Sequence, residues 1–132
     1  MKNKLRKIII NERVYLYSIN DRYHSERYAN TLTVKIYLSG QKQTPLVIEF
    51  ATIDDPIMGQ PLKTGVKLVN KITKATDTVN LNEPKYIREL ILMGQQKGWS
   101  GRNKMEKQNG LEYLDILGYE TKDLTHNASR NL

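Results

Sequence analysis

Cysteine is missing from the 132-residue chain. That removes disulfides, thiolate metal sites and cysteine nucleophiles at once. Histidine is scarce too: His24 and His126 are the only two, and neither has a neighbour at ligand spacing. A zinc site would need carboxylates from elsewhere, so no metal and no cofactor are expected. No uncharged apolar run approaches the roughly 18 residues of a membrane-spanning helix. The opening Met1-Lys2-Asn3-Lys4-Leu5-Arg6-Lys7 has the charge of a signal n-region, but only Ile8, Ile9 and Ile10 follow before Asn11-Glu12-Arg13. That apolar stretch is too short for a secretory signal, so a cytoplasmic protein with no membrane partner is expected. Phosphate-binding loops are also lacking, since neither G-x-x-x-x-G-K-[ST] nor G-x-G-x-x-G occurs. There is no G-x-S-x-G elbow, and His24-Ser25-Glu26 are consecutive, whereas a triad needs groups converging from separate segments.

What is present is charge, and it is unevenly spread. The formal net charge is +7, from 21 basic and 14 acidic side chains. Residues 1–35 and 63–109 are strongly basic, while residues 36–62 and 110–132 are slightly acidic. A folded surface with a distinct basic region favours anionic partners without naming one. The plain alternative is a solvated surface that keeps the protein soluble.

Periodicity predicts strands first and helices after them. Lys7-Ile8-Ile9-Ile10 and Val14-Tyr15-Leu16-Tyr17 read as a hairpin closed by Asn11-Glu12-Arg13. From Thr31 to Leu38, Leu32, Val34, Ile36 and Leu38 alternate with Thr31, Thr33, Lys35 and Tyr37, the signature of a half-buried strand. After the turn residues Ser39 to Thr44, Leu46, Ile48 and Phe50 point inward, with Val47 and Glu49 outward. Further strands are predicted at 65–69 and 78–81, with residues 70–77 between them. The period then lengthens. Asn80, Asn82 and Glu83 are capping residues, Pro84 suits a first turn, and Tyr86, Ile87, Leu90, Ile91 and Met93 recur at helical spacing. Gly98 stops this helix, with Trp99 placed to fold back in a Schellman motif. Asn109 with Glu112 is a capping box for a second helix striped by Leu111, Leu114 and Leu117, stopped by Gly118 and Tyr119. The fold class expected is α+β: an antiparallel four- to five-stranded meander packed against two C-terminal helices. Residues 1–124 are expected to form one domain, and 125–132 a flexible tail.

The C-terminal segments Val79-Asn80-Leu81-Asn82-Glu83-Pro84, Gly98-Trp99, Asn109-Gly110-Leu111-Glu112-Tyr113-Leu114 and Leu117-Gly118-Tyr119-Glu120 resemble the ends of small uncharacterised bacterial α+β proteins. The resemblance spans about 40 residues of capping and core positions. It implies a fold and carries no activity.

Three functional classes follow. The stretch 52–65 is long for a connection inside a compact domain, and such loops are often functional. Pro56 and Pro61 stiffen it, and a stiff loop with apolar anchors suits protein recognition because little ordering is lost on binding. The leading expectation is therefore a non-enzymatic binding protein, of inhibitor, immunity or accessory type, with a protein partner. Asp54, Asp55, Ile57, Met58 and Leu62 would form its site. The competing view of the same loop is that its apolar residues tuck down to close the core. The alternative class is a nucleic-acid-binding module. Tyrosine stacks on bases while Arg and Lys neutralise phosphates, and the N-terminal strands interleave Arg6, Arg13, Arg22, Arg27 and Lys35 with Tyr15, Tyr17 and Tyr37. Against it, tyrosine is a common strand former in any sheet. A third class, a small hydrolase, would use a carboxylate pair drawn from Glu49, Asp54, Asp55 and Glu83.

Overall fold

Asn11 and Glu12 both adopt positive φ, 51° and 68°. That is the backbone of a two-residue type I′ turn, whose twist matches the strands it joins. The turn is thus one residue shorter than expected, and Arg13 opens the second strand. In the computed structural model, which describes residues 5–25, 29–53 and 59–125, the turn joins β1 (Arg6–Ile10) to β2 (Arg13–His24). The meander continues through β3 (Ala29–Leu38) and β4 (Leu46–Ile53), all antiparallel. β2 runs seven residues past the apolar Val14–Tyr17 run because β3 pairs with it residue by residue from Tyr15↔Leu38 to His24↔Ala29. Its polar end is thus held by the backbone ladder rather than by side-chain burial.

Alternation sets the two faces. Leu32, Val34, Ile36, Leu46, Ile48 and Phe50 are wholly inaccessible, and this inner face carries the core. α2 (Pro84–Gln96) and α3 (Gly110–Ile116) cover it. α2 buries Tyr86, Ile87, Leu90, Ile91 and Met93. Gly94 lets this helix approach Leu46, since a methyl there would lie 3.4 Å from Leu46 Cδ1 and closer to Cδ2. Gly98 takes φ 114°, and the Trp99 N–H donates back to the Gly94 carbonyl at 2.9 Å. Gly118 and Tyr119 repeat the arrangement on Leu114 at 3.0 Å. Asn109 caps α3, its side chain accepting from the Leu111 N–H at 3.0 Å. The expected stripe of α3 changes: Tyr113 and Leu114 are buried, whereas Leu111 and Leu117 pack only partly against the core. Glu83, at the N-cap of α2, makes no side-chain capping bond. Asn80 instead accepts from the Asn82 N–H, and Asn82 donates to the Lys63 carbonyl, so the expected caps tie the approach to the helix.

The strands predicted near 65–69 and 78–81 form, though apart from the main sheet; a strand at 108–109 and two short helices lie outside the expected plan. The fifth strand of the main sheet is β7 (Gln108–Asn109), two residues parallel to β4. β5 (Val66–Val69) and β6 (Thr76–Val79) form a separate two-stranded hairpin. Short helices α1 (Pro61–Thr64) and α4 (Lys122–Thr125) close the ends of the core through Leu62 and Leu124. Thr125, expected to begin the tail, ends α4, and the rest of the tail (126–132) is outside the described residues.

Candidate functional site

The sheet order is β1-β2-β3-β4-β7, so β1 lies at one edge. In a two-residue hairpin the residues flanking the turn, here Ile10 and Arg13, form a hydrogen-bonded pair, and bonded pairs recur at every second residue. Ile10, Ile8 and Arg6 therefore turn their N–H and C=O toward β2, and Lys7 and Ile9 turn theirs to the free side. Among the described residues no other strand pairs there.

The side chains of Leu5, Lys7 and Ile9 belong to the outer face, which no described helix covers. Ile9 is 59% exposed and Leu5, just before the strand, 45%. Ile9 stands opposite Val14 and Lys7 opposite Leu16, and Leu16 in turn stands opposite Tyr37. Val14, Leu16 and Tyr37 are half-buried. An apolar strip thus crosses three strands and ends at an open edge where, among the described residues, Lys7 is the one charged side chain of β1 on the outer face. Single exposed apolar side chains need no explanation, but a strip ending on unpaired backbone groups does.

Sequence reasoning chose other residues. Asp54, Asp55, Ile57 and Met58 lie outside the described residues. Leu62 is fully buried, so it closes the core and is no exposed anchor. The loop's ends are pinned by a buried polar network. The Gln60 side chain donates to Asn30 Oδ1 at 3.1 Å and to Thr52 Oγ1 at 3.0 Å, and accepts from the Leu62 N–H at 2.9 Å. Asn30 reaches Asp21, which also receives Lys63 Nζ at 2.8 Å. The Lys63 hydrogen bond, helped by Asn30 and opposed by partial burial, holds the Asp21 carboxyl below its ordinary range.

The residues expected to touch nucleic acid are divided between the faces. Tyr15 and Tyr17 point into the core beneath α2, at 1% and 2% exposure, with no ring free to stack on a base. Arg6 points to the same side and donates to the Asn82 carbonyl and side chain, both at 3.2 Å. Arg22, Lys35 and Tyr37 share the outer face, the Lys35 ammonium 5.6 Å from the centre of the Tyr37 ring. Arg13 stands at the β1–β2 turn, and Arg27 lies outside the described residues. The alternation that made these residues look like one set is the alternation that separates them.

Of the four candidate carboxylates, Asp54 and Asp55 lie outside the described residues, and Glu49 and Glu83 stand apart. Glu49 lies on the outer face, 3.3 Å from Lys107 Nζ. Glu83 precedes α2 on the helix side, 4.0 Å from Lys85. A cleft of about 370 Å³ on the outer face is lined by Asn20, Arg22, His24, Thr31 and Glu49, among others. Asp21 lines it too, taken up by Lys63 at 2.8 Å, and His24 Nε2 lies 2.9 Å from Thr31 Oγ1. Among the described residues no group of three His, Asp or Glu could hold a metal ion. A cleft of about 300 Å³ beside β6 and α2 is lined in part by Tyr119 and Asp77, the tyrosine hydroxyl donating to the carboxylate at 3.0 Å. Burial, then Asp77, pushes the Tyr119 phenol well above its ordinary range. Among the described residues no helix is long and apolar enough to cross a membrane. No protein-family model, curated protein or solved structure matches the chain.

Proposed function

We propose that this protein is a non-enzymatic binding module that takes up an extended segment of a partner protein at the free edge of β1. The observation that carries this is the coincidence of unpaired backbone groups at Lys7 and Ile9 with exposed Leu5 and Ile9 side chains. Strand addition draws affinity from main-chain hydrogen bonds and specificity from alternate side chains. Lys7 selects the occupant. Two copies of β1 pairing antiparallel about Lys7 would set like charges opposite each other, which is unfavourable. A partner strand with an acid opposite Lys7 and apolar residues opposite Leu5 and Ile9 satisfies all three positions, which suits an inhibitor, immunity or accessory role for this protein.

The test is a titration of ¹⁵N-labelled protein with a capped peptide of sequence Ser-Val-Thr-Glu-Thr-Val-Ser, followed by NMR. Saturable shifts centred on the Lys7 and Ile9 amides, with slowed hydrogen exchange there, support the reading. Shifts centred elsewhere, or none, refute it.

A further inference from the structure

The end of the sheet formed by the β1–β2 and β3–β4 turns is concave. Two clefts meet there and share Arg13. One, of about 290 Å³, is lined by Arg13, Val14, Leu38, Ser39 and Arg102. The other, of about 420 Å³, lies between the β1–β2 turn and the C-terminal end of α2, where Asn11, Gln95, Trp99 and Ser100 face it.

The smaller cleft has two guanidinium-bearing residues and no acid in its lining. Neither Arg13 nor Arg102 has a side-chain hydrogen bond or ion pair among the described residues. Two like charges on one concavity repel unless an anion sits between them, and planar guanidinium forks suit the oxygens of a phosphoryl group. The Ser39 hydroxyl adds a neutral donor. The loop that presents Arg102 is already organised. Asn103 Oδ1 accepts from the Ser100 N–H at 2.7 Å and from the Ser100 hydroxyl at 2.8 Å, and Asn103 Nδ2 donates to the Gly98 carbonyl at 3.0 Å. Ser100 Oγ accepts from the Arg102 N–H at 3.1 Å, and Thr44 donates to the Gly101 carbonyl at 2.6 Å. Arg13 comes from a turn with no slack. Preorganisation of this kind lowers the ordering cost of binding.

The larger cleft carries no charge besides Arg13. Gln95 Nε2 is engaged by the Tyr15 hydroxyl at 2.9 Å and the Ser100 hydroxyl by Asn103, leaving the Gln95 carbonyl oxygen and the Asn11 amide as uncharged partners. We infer that the two clefts form one site for a small phosphomonoester. Its dianionic head would sit between Arg13, Arg102 and Ser39, and its uncharged polar body beside Asn11, Gln95 and Ser100.

Trp99, the only tryptophan, lines this cleft and reports on it by fluorescence. The experiment titrates the full chain at low salt with inorganic phosphate and, separately, with ribose 5-phosphate. The inference expects saturable binding of both, with the ester at least about tenfold tighter because it alone fills both clefts. Arg13→Ala and Arg102→Ala should each weaken both ligands by about tenfold or more, the loss expected for a charged hydrogen-bonding partner. Lys67→Ala, a remote surface change, should leave both affinities unchanged, and the three variants should melt like the parent. No saturable change, or equal weakening by Lys67→Ala, overturns the site. Equal affinity for phosphate and ester overturns the joining of the two clefts.

Discussion

Gly110 opens α3 directly against the ring of Phe50. A methyl built on it would lie 2.6 Å from Phe50 Cγ and closer still to Cδ2 and Cε2. Carbon atoms in good packing sit about 3.5–4.0 Å apart, so roughly an ångström must be recovered. Phe50 has no exposure and no room to swing away. The first turn of α3 would have to retreat, loosening both the Asn109 cap and the pairing of Glu49 with Asn109. Overpacking costs about 1–3 kcal/mol, and a disturbed cap about 1 kcal/mol more. The intrinsic preference of helices for alanine returns at most about 1 kcal/mol. Gly110→Ala should therefore lose about 2 kcal/mol. In a chain of this size that lowers Tm by roughly 6–12 °C. Urea denaturation followed by the fluorescence of buried Trp99 measures it, with the m-value unchanged. Phe50→Leu in the same background should recover part of the loss. A Gly110→Ala variant as stable as the parent, or more so, would refute the packing argument.

Leu62→Ala should cost about 2–5 kcal/mol, the range for a fully buried leucine, and thermal melting checks it; a neutral result would mean that Leu62 is an exposed anchor after all. At alkaline pH, burial pushes the Tyr113 phenol up from 10.0 to about 12. Folding favours its neutral form, so the stability it adds is complete below pH 10 and fades as pH rises toward 12. Tyrosinate absorbance should show a late-ionising class, which Tyr113→Phe diminishes. With Tyr15 and Tyr17 buried, labelled single-stranded DNA should give no mobility shift even at low salt; a shift that weakens steeply with added salt would revive the nucleic-acid reading.

The strands and helices that carry the core were legible because their burial follows one period over several residues. Leu32 to Leu38 and Tyr86 to Met93 meet one covered face each, so alternation and helical spacing translated into the observed packing. The glycine-aromatic stops were legible for a similar reason: positive φ at Gly98 and Gly118 is a local demand. The β1 strand was legible as half of a hairpin, but its place at the edge of the sheet was not. Ile8, Ile9 and Ile10 form a run without alternation, as in a strand buried on both faces. Only the sheet order reveals that one face of β1 is open and that Ile9 stands on it. β7 is too short to leave a pattern, and its parallel pairing follows from where α3 docks rather than from its own two residues. Tyr15 and Tyr17 looked available because a ring with a hydroxyl suits either side of a sheet. Their register partners Leu38 and Ile36 assign them to the core. Arg102 drew no notice because the meeting of its loop with the Arg13 turn is a tertiary event.

Charge reversal at the edge tests the central claim most directly. Lys7→Glu should weaken the peptide with a central glutamate by about tenfold or more, and a peptide with lysine at that position should bind the variant better than it binds the parent. Opposite charges facing each other across a sheet contribute up to about 1 kcal/mol, and like charges oppose by a similar amount. Replacing an attractive pair by a repulsive one should therefore give a crossed preference of roughly fivefold to thirtyfold in a calorimetric comparison of the four pairs. The account predicts that crossing. If both peptides bind parent and variant alike, or if neither binds, Lys7 does not read a partner strand and the β1 edge is not where this protein works.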